Sequence, residues 1–238
     1  MLRSAAVQDD EAQLRALPVS RKYPAHAIHC QEDAALVTLR PLRISDTLEV
    51  TRAVQESLSE LKVFMPWAHG VQSLNAELER RITTQADYWG GRDMNMGLFV
   101  SGALVACCGL HYRVPLNPAG IECGYWTRTS QARRGWATLA LQMMALYAFD
   151  QLDCDRVQVQ HNELNLASRR VIAKVGFVLE ASLRNATAEP SDEMIAGGLV
   201  SSRTSLLWSL VPEDLKSLAW VAALRAQLRY ENVFGCPV

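Results

Sequence analysis

No two cysteines in this 238-residue sequence are spaced as C-x-x-C. The six (Cys30, Cys107, Cys108, Cys123, Cys154 and Cys236) include a single adjacent pair, so neither a zinc finger nor a dithiol redox motif can be drawn through them. No apolar run approaches the ~20 residues that a membrane-spanning helix needs. Charge at Asp9, Asp10 and Glu11 interrupts the N-terminus before a signal-peptide core could form. A reduced, cytoplasmic, soluble chain is therefore expected. Neither sign of charge is in surplus, with 24 Lys+Arg against 25 Asp+Glu. The basic excess that nucleic acid or an anionic membrane rewards is missing, and neither is expected as a partner. A Gly-Lys-Ser/Thr phosphate loop and a G-x-G-x-x-G turn are also absent, as are internal repeats and low-complexity segments.

What is present is an ordinary globular composition. With 49% hydrophobic and 21% charged residues, wholesale disorder is excluded. The length suits one large domain or two small ones. Residues 1–35 read as an extension, with a short helix from Glu11 to Leu17 broken by Pro18 and Pro24. From Leu36 the texture changes. Leu36–Arg40 alternates as a strand. Asp46 and Glu49 give a capping-box signal, followed by Val54, Leu58, Leu61 and Met65 at helical spacing. Ser73 begins a second helix with Leu74, Leu78, Ile82 and Trp89 on one face, ended by Gly90-Gly91. Met96–Val100 and Ala103–Tyr112 read as strands joined at Ser101-Gly102. A further strand, Ile121–Thr127, precedes a basic loop and a helix from about Gly135 to Leu152. Val157 and Val159 mark a strand, Asn165 to Lys174 a helix stopped by Gly176, and Phe177–Leu183 and Thr204–Leu210 the closing strands. A terminal helix is expected over 213–230, its wide apolar face packing on the domain or on a second copy in a homodimer. This alternation with short connections predicts a mixed α/β (α+β) domain.

The most informative stretch is the loop into the Gly135 helix. The first amides of a helix have no internal partners and carry partial positive charge. Gly135 and Ala137 keep the turn free of bulk, and Arg133 and Arg134 add charge, so the place suits a phosphate. Arg128 completes a local basic cluster.

Gly124-Tyr125-Trp126, Arg133-Arg134-Gly135-Trp136-Ala137-Thr138, Tyr147-Ala148-Phe149, Asn165-Leu166-Ala167-Ser168, Lys174-Val175-Gly176-Phe177 and Leu183-Arg184 occur in that order. The series resembles the GNAT superfamily of acyl-CoA-dependent N-acyltransferases, and within it the ribosomal-protein N-terminal (Rim-type) branch. The resemblance covers about 36–210 and leaves 1–35 and 211–238 as extensions. It implies a mostly antiparallel central sheet, splayed beside Ile121–Thr127 and flanked by helices on both faces. It implies acetyl-CoA as co-substrate and no metal. The pantetheine arm would lie in the splay against the backbone near Thr127, and the diphosphate on the amides of Arg133, Arg134, Gly135, Trp136, Ala137 and Thr138. Ala132 stands where the family usually carries Gln or Arg, with Gln131 one place off.

Acyl transfer to an amine needs a proton acceptor, because an amine with a pKa near 10.4 is mostly protonated at neutral pH. Glu122, at the start of the splayed strand beside apolar neighbours that would raise its pKa, is the first candidate. His111 is an alternative. The glutamate that Rim-type relatives place after Gly-Phe falls at Thr187, with Glu189 two residues on. The thiol-side tyrosine of many GNAT enzymes falls at Ile172, and the Rim-type pattern offers Ser168 instead. Asn165 would bond the pantetheine arm or cap its helix. Tyr147 and Phe149 read as core, and Trp67 as core or as the branch's aromatic element near the acceptor. The acceptor is expected to be a protein N-terminus or a small-molecule amine. The other readings are a non-catalytic GNAT-fold module that binds acyl-CoA, and a loop that binds a nucleotide phosphate.

Overall fold

A nine-stranded sheet runs in the order β7-β8-β6-β5-β4-β3-β2-β1-β9. The computed structural model describes residues 12–70, 73–115 and 117–238. Asp9, Asp10 and Glu11 lie outside that range, and a helical turn at 12–15 covers the described part of the expected first helix. The strands are β1 Ala27–Glu32, β2 Ala35–Pro41, β3 Asp93–Val100, β4 Ala103–His111, β5 Gly120–Thr127, β6 Arg156–Asn162, β7 Val178–Leu183, β8 Ser205–Leu210 and β9 Arg229–Glu231. Each adjacent pair is antiparallel except β5 and β6, which are parallel. The longer helices are α1 Thr47–Glu56, α2 Leu58–Phe64, α3 Leu74–Trp89, α4 Trp136–Gln151, α5 Leu166–Val175, α6 Asp192–Ala196 and α7 Ala219–Gln227.

Two apolar clusters hold helices to the sheet. The larger, around Met94, Leu110, Ile121, Leu141 and Tyr147, lies under α4. The smaller, around Val50, Val54, Leu61, Leu104 and Cys107, lies under α1 and α2 on the other face. Because side chains alternate along a strand, Cys107, Gly109 and His111 of β4 share the α1/α2 face. Their register partners Trp126, Gly124 and Glu122 of β5 share it too.

Several elements differ from the sequence expectation. β1 is a strand within residues read as an extension. It pairs with β2 through a turn at Asp33 and Ala34, both with positive φ (47° and 64°). β9, which overlaps the last two positions of the expected terminal helix, pairs with the outer side of β1. The helix expected from Val54 to Met65 breaks at Ser57. Asp46 does not cap it. Its carboxylate instead accepts from the Arg43 N–H at 2.7 Å and pairs with Arg40 at 2.7 and 2.9 Å. On α3, Leu74, Leu78 and Ile82 face solvent while Glu77 and Arg81 are buried as an ion pair at 2.7 Å. Tyr147 is fully buried core, as expected, and its hydroxyl accepts from the Ala25 N–H at 2.9 Å. α7 packs on its own domain: Val221, Leu224 and Leu228 join the larger cluster, and Arg225 pairs with Asp150 through two hydrogen bonds.

Candidate active site

The pairing of β5 with β6 spans three positions, ending at Glu122 and Gln158. Beyond it, β5 stays on β4 as far as Thr127 while β6 turns to β8. The strands splay, as the resemblance implied, and the backbone from Cys123 to Thr127 has no strand on its β6 side. A cleft of about 1010 Å³ opens there. Cys123–Thr127 and Val159–Asn162 form its walls, the loop to α4 and the start of α5 one end, and α2 with the segment 186–190 further sides. The Val200 N–H donates to the Val63 carbonyl at 3.1 Å, so the segment before β8 is tied to α2 across the cleft.

The loop into α4 has the form an anion site requires. Gly135 is the N-cap at φ 88°, in the left-handed region that favours glycine. A β-carbon there would meet nothing within 4 Å, so the space over the turn is open. Arg133 also has positive φ, 63°. None of the amides from Arg133 to Thr138 donates to a partner among the described residues, and six free donors at a helix start make a cradle for phosphate oxygens. Ala132 lies in extended backbone ahead of them and contributes no polar side chain.

Arg128 is not available for that anion. Its guanidinium pairs with Glu49 at 2.6 Å and Glu56 at 2.5 Å on α1. Glu56 also accepts from the Ser130 N–H at 2.8 Å, and the Ser57 hydroxyl accepts from the Thr129 N–H at 3.0 Å. The end of α1, where the expected long helix breaks, thus clamps the loop. Hydrogen bonds from Ser130, followed by the Arg128 guanidinium, hold the Glu56 carboxyl down at about 2. From the sequence Glu49 has only a capping role and Glu56 and Ser57 none, since nothing in their spacing signals a partner more than 70 residues away.

The two faces of the sheet carry different chemistry. On the α4/α5 face, the Tyr125 hydroxyl lies 3.1 Å from the Ser168 hydroxyl. Tyr125, which the sequence marks only as part of a motif, lines the cleft. Burial pushes its hydroxyl above the ordinary tyrosine value, so it stays a donor. Asn165 caps α5, its side-chain oxygen accepting from the Ser168 N–H at 3.0 Å. Ile172 is fully buried core, so nothing at that position reaches a thiol.

On the α1/α2 face stands Glu122. The structure surrounds it with donors instead of the expected apolar neighbours. Arg113 donates at 3.0 and 2.9 Å to one oxygen, and Gln158 and Gln160 at 3.0 and 3.1 Å to the other. His111 lies directly across the β4–β5 ladder from it. His161 also reaches the cleft, but both its ring nitrogens are occupied. Nδ1 lies 2.7 Å from the Asn162 carbonyl, and Nε2 accepts from the Trp208 N–H at 3.0 Å. Thr187 and Glu189 line the cleft, with Glu189 3.9 Å from Arg203. Trp67 is part-exposed and packs near Trp126, ring centres 6.4 Å apart. Cys123 lines the cleft too, and burial holds its thiol well above the ordinary value, which removes the thiolate a covalent nucleophile needs.

No group of three or more His, Cys, Asp or Glu among the described residues is placed to hold a metal ion. None of their helices is long and apolar enough to cross a membrane.

Comparison with known proteins fits this geometry. The chain is 25% identical over 150 residues, 63% of its own length and 81% of the relative's, to YdaF of Bacillus subtilis (strain 168), whose ribosomal N-acetyltransferase assignment is itself provisional. Mycobacterium smegmatis RimJ, solved in complex with CoA-disulfide, superposes with a TM-score of 0.71 at 21% identity, covering 85% of this chain and 95% of that one. A Salmonella typhimurium acetyl transferase that modifies the N-terminal serine of 50S subunit protein L7/L12 superposes at 0.62 with 16% identity, covering 74% and 94%. The family model of the acetyltransferase (GNAT) domain matches residues 37–178. That match spans more than half of the sequence, and the chain belongs to the GNAT acetyltransferase family.

Proposed function

We propose that the chain moves an acetyl group from acetyl-CoA directly onto a primary amine, in the first instance the N-terminal amine of a protein. The observation that carries this reading is the splay itself, which gives one cleft access to both faces of the sheet. Hydroxyls of Tyr125 and Ser168 stand on one face and Glu122 and His111 on the other. A thioester threaded through that gap would have its sulfur near proton donors while an amine approaches from the opposite side. That is the arrangement for a single direct displacement, and the protonated Cys123 supports it over an acyl-enzyme route.

The loop residues would do the binding. Amides from Arg133 to Thr138 would take the diphosphate, with Arg133 and Arg134 adding charge. The unpaired edge of β5 near Thr127 would bond the amide-rich pantetheine arm, with Asn165 beside it. Ser168, backed by Tyr125, would protonate the leaving thiolate. Glu122 would supply the negative charge that draws an ammonium into the α1/α2 side of the cleft. A protein N-terminus is favoured as acceptor by the Salmonella relative, which modifies an N-terminal serine.

Titration calorimetry with acetyl-CoA, followed by thiol release against peptides with free N-termini, tests the reading. Saturable binding with peptide-dependent thiol release is expected. No heat with acetyl-CoA would end it as an acyltransferase, and binding without release to any amine would leave a non-catalytic module.

A further inference from the structure

On the α1/α2 face of the sheet the row of β5 positions in the cleft reads Glu122, Gly124, Trp126, and the middle one has no side chain of its own. The imidazole of His111 fills that place. A β-carbon built on Gly124 would stand 3.5 Å from His111 Nε2, and one on Gly109 would fall 2.9 Å from both Cε1 and Nε2. Two glycines facing each other across the β4–β5 ladder thus leave the space in which the ring lies. Gly124 is itself a cleft residue.

The ring is also held. Its Nδ1 lies 2.5 Å from Asp93 Oδ1, and Asp93 is the register partner of His111 on β3. The other Asp93 oxygen accepts from the Asn95 side-chain amide at 3.2 Å. An acid at Nδ1 fixes the tautomer that carries its proton there. Nε2 is then left with its lone pair beside Gly124, the glycine that opens to the cleft. The charged groups around the imidazole are Asp93 from β3, Glu122 from β5 and Arg113 just past β4. Glu122 is the poorer acceptor, because both its oxygens already receive hydrogen bonds from Arg113, Gln158 and Gln160.

We propose that His111 Nε2 takes the proton from the incoming ammonium, with Asp93 as its positioning residue. This rests on the acyl-transfer reading above. The N–H bond breaks and its electron pair becomes the nucleophile, while the proton passes to Nε2 and then to solvent, the Asp93 carboxylate stabilising the imidazolium in between. The amine nitrogen bonds to the acyl carbon and the C–S bond breaks. A second proton leaves the nitrogen as the amide forms, and the thiolate is protonated from the Ser168 side. The net yield is amide, free thiol and one proton.

The test compares wild type with His111→Gln, Asp93→Asn and Glu122→Gln. It uses acetyl-CoA and hexapeptides beginning with Ser, Ala or Met. In His111→Gln, kcat should fall about 10²-fold or more while acetyl-CoA binding by calorimetry is unchanged. The limb of the wild-type kcat/KM pH profile that reports the proton acceptor should vanish. That limb should persist in Glu122→Gln. Asp93→Asn should lower kcat about tenfold, and ¹⁵N shifts of labelled imidazole should show the Nδ1–H tautomer in wild type and a mixture in the variant. The assignment is overturned if His111→Gln keeps the limb and a kcat within about threefold of wild type, or if Glu122→Gln is the variant that loses the limb. Unchanged tautomer shifts in Asp93→Asn would overturn the positioning role. A wild type that binds acetyl-CoA yet acetylates no peptide would sink the acyl-transfer reading, and this one with it.

Discussion

The clamp between α1 and the loop into α4 gives the sharpest quantitative expectation. Glu56→Gln keeps the shape of the side chain but removes the charge that faces Arg128 and the Ser130 amide. The carboxyl is held at about 2 against an ordinary 4.5, a depression worth about 3 kcal/mol at face value. Glu56 is solvent-exposed, however, so screening leaves about 1 kcal/mol. That predicts a Tm lower by about 2–4 °C, and an acetyl-CoA Kd raised about three- to fivefold because the amides lose their fixed direction. The pH sign follows from the depressed value. The stabilisation is complete above about pH 4.5 and is lost as pH falls toward 2, so wild type and variant should converge in acid. Thermal unfolding at neutral and acid pH, with calorimetry at pH 7, reads both quantities. Equal Tm and Kd at pH 7, or a stability gap that persists near pH 2, would refute the clamp.

Other expectations follow from the same geometry. Gly135→Ala should cost about 1 kcal/mol for its positive φ alone, with open space around it, and should raise the acetyl-CoA Kd. Gly176→Ala combines φ 105° with a collision against the Leu218 side chain, so it should lower Tm further and leave Kd alone in the same assays. Tyr125→Phe and Ser168→Ala should each lower kcat about tenfold or more without changing acetyl-CoA affinity, and their double variant should lose less than the product, because the hydroxyls share one hydrogen bond. In native protein one thiol, Cys236, should react readily with a maleimide, since the other five cysteines are buried. All six should react after unfolding, and early labelling of Cys123 by mass spectrometry would contradict its raised pKa.

Much of the fold was written locally. A Gly-terminated helix at 166–175, a hairpin at Ser101-Gly102 and a helix starting past Gly135 each depend on residues within a few positions, so their signals survive in the linear chain. β1 was hidden because its turn uses Asp33 and Ala34 at positive φ, where Asn-Gly or Gly-Gly would have announced a hairpin. β9 is three residues long and exists through its pairing with β1. α3 misled for a different reason: its apolar row faces outward while an ion pair covers its charges inside, and periodicity gives a face without saying which way it turns.

By itself the sequence determined the order of the motifs, the glycine that opens the anion loop, and hence the family. Those are properties of short runs whose backbone preferences are set by near neighbours. Tertiary structure alone decided the chemistry around them. It tied Glu122 to Arg113, spent Arg128 on α1, set Tyr125 against Ser168 and laid His111 over Gly124 with Asp93 behind it. Strand register and helix packing bring together residues 9 to 79 positions apart in these pairs, and no local rule of the chain encodes that distance.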